Sequence, residues 1–334
     1  MGRRVTRPTE RDVRLGPVGT SDTERAAIAA FRTAHGDVEL APVVVVIAAY
    51  QEAATIGRVL DELPATTCSL AVDALVVVDG ATDRTAAAAR SKGALVCELA
   101  TNQGQGAALR LGYHLAGAGG ARVIVTTDAD AQYDASELSR LIQPILDGDA
   151  DFVTGSRWLG HNTSTSTVRS IGSHVFARLV TVLTRHKVTD TSFGFRAMTP
   201  AVTTAVELRQ PQYQSSELLI GAIMRGFRVV ECPMTMRPRA AGASKKGNNL
   251  VYGYRYARVV FGTWARERSR RRRSSARVDG VSEHEAIEEH ELGHEHEERG
   301  GEVRHADDDA PERDRVRQRA GEPVRGGGEQ GGEQ

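Results

Sequence analysis

The sequence predicts an α/β fold with a mixed, mainly parallel sheet flanked by helices, and three observations carry that expectation. Runs at residues 43–47, 74–78 and 123–127 are apolar and rich in β-branched residues, as strands covered on both faces must be. A stretch with helical spacing of apolar residues follows each run. Strands end in polar residues, above all Asp79 and the pair Asp128 and Asp130, and open α/β sheets bind ligands at the carboxyl ends of their strands.

Composition narrows the classes. The chain has 334 residues, 40% of them hydrophobic, and a formal net charge of +0. Almost all apolar periodicity lies between Val43 and Trp264, ample for one large core. With no global field, nucleic acid is not an expected partner. Cys68, Cys97 and Cys232 are widely separated and show no ligand spacing, so neither a disulfide framework nor a zinc site is expected and a reduced, cytoplasmic compartment fits. No run reaches the roughly 18 apolar residues of a spanning helix, and the arginine-rich N-terminus lacks an apolar stretch.

Taken in order, residues 1–40 carry five early arginines among Pro and Gly and predict a mobile N-terminal arm with one short helix over 23–33. A main domain spans 41–249. Its first strand, 43–47, leads to a helix with Ile56, Val59, Leu60 and Leu63 that Pro64 stops. The second strand, 74–78, ends in Asp79-Gly80, and a third covers 95–99. Asn102-Gln103-Gly104-Gln105-Gly106 opens the next helix, whose Gly-rich start suits an anion. It does not match the dinucleotide fingerprint, because Leu109 stands where the third glycine belongs. The strand at 123–127 follows, then a helix over 134–146 and a strand over 151–154 ending in Gly155-Ser156-Arg157.

Beyond it, Ile171, Val175, Phe176, Leu179, Val180 and Leu183 form a helical stripe that is core or groove wall. Residues 190–196 read as a turn with two aromatics. A helix through Glu217 and Ile223 precedes a strand over 227–232 that Pro233 ends, and a basic loop runs from Arg237 to Lys246. Residues 250–273 form an amphipathic, basic segment expected at a membrane surface, with Tyr252, Tyr256, Phe261 and Trp264 at headgroup depth. The composition of 274–334 collapses to Glu, His, Asp, Gly and Arg and predicts a disordered charged tail.

Asp128 and Asp130, separated only by Ala129, are costly as adjacent anions unless a cation or strong donors lie between them. Hard oxygen ligands suit Mg²⁺ or Mn²⁺, and Gln132 adds a carbonyl oxygen. The bland alternative is a solvated turn with Asp134 or Ser136 capping the next helix.

The ordered set Val46-Ile47-Ala48-Ala49-Tyr50-Gln51-Glu52, Val78 to Thr85, Asn102 to Gly106, Asp128 to Gln132, Gly155-Ser156-Arg157 and Gly194-Phe195-Arg196 resembles family 2 glycosyltransferases. Within that family it is most similar to the dolichol-phosphate mannose synthase-like, polyprenyl-phosphate branch. The resemblance implies a GT-A-type, Rossmann-like fold. It implies inverting, metal-dependent transfer of a hexosyl group from GDP-mannose or a UDP-sugar to a polyprenyl or dolichyl phosphate, by an enzyme peripheral to the inner face of the cell membrane. The donor nucleotide would meet Ala48, Tyr50, Glu52, Asp79, Gly106 and Asp128, and Mg²⁺ or Mn²⁺ would sit on Asp128, Asp130 and Gln132. Arg157, Arg169, Ser173, Arg239 and Lys245 would hold the acceptor phosphate, with Asp130, Arg157 and Arg169 as the catalytic set. The chain departs from the family at Ala48 (usually proline), Gln51 (asparagine), Val78 (a carboxylate) and Gln105 (lysine). Two alternatives remain open: the same chemistry on a soluble acceptor, or a non-catalytic nucleotide-sugar-binding scaffold.

Overall fold

The computed structural model describes residues 18–36, 38–162, 167–238 and 253–273, except for the side chains at 162 and 167–171. The tail at 274–334 and the acceptor candidates Arg239 and Lys245 lie outside the described residues. In chain order the elements are α1 (Asp22–His35), β1 (Val43–Ala49), α2 (Ile56–Glu62), β2 (Thr66–Thr67), β3 (Leu70–Asp79), α3 (Thr85–Ser91), β4 (Leu95–Leu99), α4 (Gln105–Ala118) and β5 (Val123–Asp128). They continue with α5 (Leu138–Leu146), β6 (Phe152–Asn162), α6 (Thr167–Thr184), β7 (Arg196–Met198), α7 (Pro200–Ala205), α8 (Gln214–Met224) and β8 (Val229–Met236). A final helix, α9, covers 253–273.

The strands form one sheet in the order β2-β3-β1-β5-β7-β6-β8, with β4 also on β3. β1 is parallel to both β3 and β5, with Ala48 opposite Asp128 and Ala49 opposite Val78, so the carboxyl ends of these three strands come level. Side-chain alternation then divides the core. Val44, Val46, Leu75, Val77 and Ile124 face the layer that contains α4 and α8, while Val43, Val45, Ile47, Val76 and Val125 face the layer that contains α2 and α5. In α4, Gly112 lets the helix lie directly on β1, since a Cβ there would stand 2.3 Å from Val46 Cγ1.

Several expectations are corrected. Within the N-terminal arm, residues 22–35 are a docked helix. Ser21 caps α1 by accepting from Glu24 N, Ala27 and Phe31 are buried, and Glu24, 3% exposed, pairs with Arg110 of α4. β6 runs on through Arg157, with a register shift between Ser156 and His161, so Arg157 lies within a strand. The expected turn ends one residue early, because Arg196 opens β7, a short strand antiparallel between β5 and β6, with Arg196 opposite both Thr126 and Thr154. β8 passes through Pro233 because it is an edge strand, where a missing N–H is tolerated.

The largest correction concerns α9, whose aromatic side packs on the core. Tyr256 and Val260 are buried, the Tyr256 hydroxyl is 2.6 Å from Thr191 Oγ1, and its ring lies 4.4 Å from that of Phe176. Trp264 Nε1 donates to Leu183 O at 2.8 Å. Glu267, 2% exposed, accepts from Arg225 at 2.9 Å and Arg266 at 3.1 Å; Arg266 also pairs with Glu217, and Arg270 with Glu207. Thus Tyr256 and Trp264 are spent inward, because the core offers them partners that water or lipid would otherwise supply.

Removing Glu267 strands Arg225 and takes from Arg266 one of its two carboxylates, leaving it Glu217. Glu267→Ala is therefore expected to lower the unfolding free energy by about 3 kcal/mol. Arg271→Ala, on the exposed end of the same helix, is expected to stay within about 0.5 kcal/mol. Denaturant melts of the two variants check this, and equal effects would contradict the docked helix.

Candidate active site

The level strand ends bring three loops together. At the end of β1, Gln51 adopts φ 55° and clamps the loop after β3: its Nε2 donates to Thr82 Oγ1 at 2.8 Å and its Oε1 accepts from Asp83 N at 3.2 Å. Glu52 N donates to Thr85 Oγ1, and Glu52 Oε2 accepts from Thr55 Oγ1 at 3.0 Å. Tyr50 stands 39% exposed at this rim, and Ala48 is half-buried opposite Asp128.

Asp79, expected at the donor nucleotide, stands at the carboxyl end of β3. Its side chain turns toward α4, where Oδ1 accepts from Gln103 N at 2.6 Å and Oδ2 from Gly104 N at 2.9 Å. Burial lifts its carboxyl above the ordinary 3.8, against the pull of those two amides. The anion that the Gly-rich start of α4 receives is therefore the protein's own Asp79. Gly106 is committed in the same way. Its N–H donates to Pro211 O at 3.0 Å, and a Cβ would stand 2.0 Å from Gln210 O, so close backbone approach within the fold is what this glycine permits.

At the end of β5, Asp128 Oδ1 accepts from Gln105 Nε2 at 3.1 Å and Oδ2 from the Tyr133 hydroxyl at 3.1 Å. Burial, with the Asp128 charge beside it, holds the Tyr133 phenol well above its ordinary pKa, so it stays a neutral donor. That hydroxyl in turn accepts from Gly194 N at 2.8 Å. A Cβ on Gly194 would stand 2.6 Å from Asp128 Oδ2, which is why the Gly194-Phe195-Arg196 motif begins with glycine. Asp130 is 8% exposed and accepts from Gln132 N at 3.3 Å, across Ala131 at φ 57°. Gln132 Nε2 donates to Arg237 O, and Arg237 N to Gln132 O at 2.7 Å, so this turn is tied to the chain leaving β8. Arg237 completes the tie through Glu62 and Asp134.

The donor set fits a hard divalent cation. Asp128 receives only neutral donors and has no Arg or Lys within ion-pairing distance among the described residues. No group of three His, Cys, Asp or Glu suited to a metal is present among the described residues. Two carboxylates without a third protein anion match Mg²⁺-like ions, which complete their shell with water and substrate phosphates.

The acceptor candidates separate. Arg157 Nε donates to Asp190 Oδ2 at 2.6 Å and Nη2 to Ser192 Oγ at 3.1 Å, with Asp190 fully buried. Burial pushes the Arg157 guanidinium down, but the charge and hydrogen bond of Asp190, together with Tyr133 and Tyr256, outweigh it and leave its pKa above the ordinary value. Arg157 is thus committed to a buried ion pair that fixes the turn before β7. Ser173 accepts from Trp158 Nε1 at 3.1 Å. Arg169 lies on α6, and its side chain is outside the described residues. Sequence reasoning missed Tyr133, Gln105 as a partner of Asp128, and Asp190. Only the apposition of β5, β7 and α4 shows them.

Comparison with known proteins places these features. The sequence profile described as glycosyl transferase family 2 matches residues 44–203. A dolichyl-phosphate hexose transferase of Haloferax volcanii is 34% identical over 215 residues, covering 62% of this chain and 91% of that protein. A polyprenol monophosphomannose synthase of Mycolicibacterium smegmatis is 31% identical, covering 54% of this chain and 72% of that one. A solved structure of glucosyl-3-phosphoglycerate synthase from Mycobacterium tuberculosis, in complex with Mn²⁺, UDP and phosphoglyceric acid, superposes with a TM-score of 0.52. It is 19% identical and covers 71% of this chain and 80% of that one, a likeness of fold.

Because Asp190 is buried, Arg157→Ala is expected to cost about 3 to 5 kcal/mol of stability. Asp190→Ala should cost a similar amount, and the double variant less than the sum. A double-mutant cycle in denaturant checks this. Additive effects would mean that the pair is not coupled.

Proposed function

This chain belongs to glycosyl transferase family 2, and from that premise we propose that it moves a hexosyl group from a nucleotide-diphosphate sugar to a polyprenyl phosphate, with inversion and with a divalent metal. The observation that carries the reading is the end of β5. There two carboxylates with only neutral hydrogen-bond donors on Asp128 stand level with the loops expected to hold a nucleotide. The relatives named as a dolichyl-phosphate hexose transferase and a polyprenol monophosphomannose synthase support the acceptor class.

In this reading Asp128 and Asp130 hold Mg²⁺ or Mn²⁺, which when bound neutralises charge on the departing diphosphate. An oxygen of the lipid phosphate attacks the anomeric carbon as the bond to the nucleotide's β-phosphate breaks. That oxygen is already anionic at neutral pH, so no general base is required. Tyr133 and Gln105 orient Asp128, and the clamp made by Gln51 shapes the rim at Tyr50. Asp79 and Gly106 act through the α4 entry rather than on the nucleotide, and Arg157 acts by positioning the turn before β7.

The membrane surface is approached by a face wider than α9. No helix among the described residues is long and apolar enough to cross a membrane. Exposed apolar side chains gather on α6 (Val175, Val182) and α9 (Tyr254, Phe261), each pair seven residues apart. The two helices run side by side, with Phe176 against Tyr256 and Trp264 bonded to Leu183. Their described surfaces carry exposed Arg178, Arg255, Arg258 and Arg268, and the sole acid of α9, Glu267, is buried. Such a face suits anionic lipid, with about 1 kcal/mol per nearby arginine.

Incubation with Mn²⁺, a panel of nucleotide sugars and a polyprenyl phosphate, followed by mass analysis of the lipid extract, tests the reaction. Glycolipid is expected from the wild type and nearly none from Asp130→Asn or after chelation; undiminished product in both would overturn the metal role. In vesicle flotation, binding is expected for anionic but not neutral liposomes, and to weaken with salt and with Phe261→Ser. Binding indifferent to salt and lipid charge would reject the membrane face and favour a soluble acceptor.

A further inference from the structure

Arg196 is the described buried arginine whose charge the fold leaves unanswered. Four others, Arg110, Arg209, Arg225 and Arg266, also have a buried nitrogen without a hydrogen bond. Each of those faces a carboxylate: Glu24, Glu207, Glu267, and Glu217 with Glu267, respectively. Arg196, 3% exposed, has neutral acceptors only. Its Nε donates to Phe193 O at 2.6 Å, its Nη1 to Ser215 O at 2.7 Å, and its Nη2 is buried without a partner.

The carbonyl of Ser215 places the guanidinium against the first turn of α8, an 11-residue helix whose N-cap Tyr213 contributes no side-chain bond. A cation at the positive end of a helix dipole is electrostatically unfavourable. In the same turn Gln214 is 6% exposed, and its Oε1 has no partner. The acid of this turn, Glu217, is already taken by Arg266 and by the amides of Arg209 and Gln210. Burial pushes the Arg196 guanidinium down, with Tyr113, Tyr133, Tyr256 and Asp128 opposing at longer range. Arg196 is opposite Thr126, two residues back along β5 from Asp128.

We propose that Arg196 and the first turn of α8 form a phosphate-binding floor of the transfer site, which takes an anionic phosphate oxygen on Arg196 Nη2. The Gln214 amide assists by turning its nitrogen toward the anion, since the two ends of an amide exchange by a simple flip. In the closed arrangement Nη2 is shut from solvent, and phosphate enters with a shift of the turn at Tyr213, which holds φ 63°. The phosphate is either that of the acceptor lipid, an assignment that rests on the function proposed above, or that of the leaving nucleotide.

Direct binding separates these without turnover, so failure here leaves the transfer reading standing. The full chain is titrated calorimetrically with farnesyl phosphate and, separately, with UDP and GDP. Arg196→Met gives up the bonds to Phe193 O and Ser215 O, so it is expected to melt at a lower temperature while still folding, and to weaken farnesyl phosphate about tenfold or more. Loss of nucleotide binding instead assigns the same floor to the leaving diphosphate. Gln214→Glu supplies the missing carboxylate internally, and is expected to raise the melting temperature and weaken the same probe. Affinities for every probe that stay within about twofold in both variants overturn the proposal. So does a collapse of Arg196→Met stability while Gln214→Glu binds as the wild type does.

Discussion

The constraint on which the rest of the structure depends is that carboxylates buried in and around the sheet must each find compensation. Asp79 finds it in two backbone amides, Asp190 in Arg157, and Glu217 in Arg266 and two further amides. Among the described residues, Asp128 is met by neutral donors alone. Asp128 is thus the carboxylate at which the proposed divalent cation would supply the compensating charge. Gly194 belongs to the same logic, because any larger residue would push into Asp128.

This view changes what the motifs mean. The Gly-rich entry to α4 has the features of an anion site, yet its anion is Asp79. The arginine after Gly155-Ser156 has the features of a phosphate ligand, yet it is bound to Asp190. In both cases the opposite charge that the residue type calls for is supplied from within the fold. Asp79 and Arg157 hold other parts of the fold, so their loss is expected to act on stability first.

Strands buried on both faces were legible in sequence because β1, β3 and β5 are continuous apolar runs with a carboxylate or loop at their ends. β7 was not, since three residues carry no periodicity and its place depends on β5 and β6 flanking it. The extension of β6 was hidden by a register shift, and that of β8 by Pro233, which only an edge position permits. For α9, amphipathic composition was visible, but which of its aromatics face the protein depended on Leu183, Thr191 and Phe176, far away in sequence. Asp128 and Asp130 were legible because two carboxylates at a strand end are unusual; their supports Tyr133 and Gly194 come from packing.

The central claim is that Asp128 and Asp130, at the end of β5, bind a divalent cation. Titration of Mn²⁺ by electron paramagnetic resonance, with a nucleoside diphosphate present, tests it most directly. The account predicts one saturable site whose affinity falls about tenfold or more in Asp128→Asn with the melting temperature preserved. Equal Mn²⁺ binding by the two proteins, or none by the wild type, would contradict it.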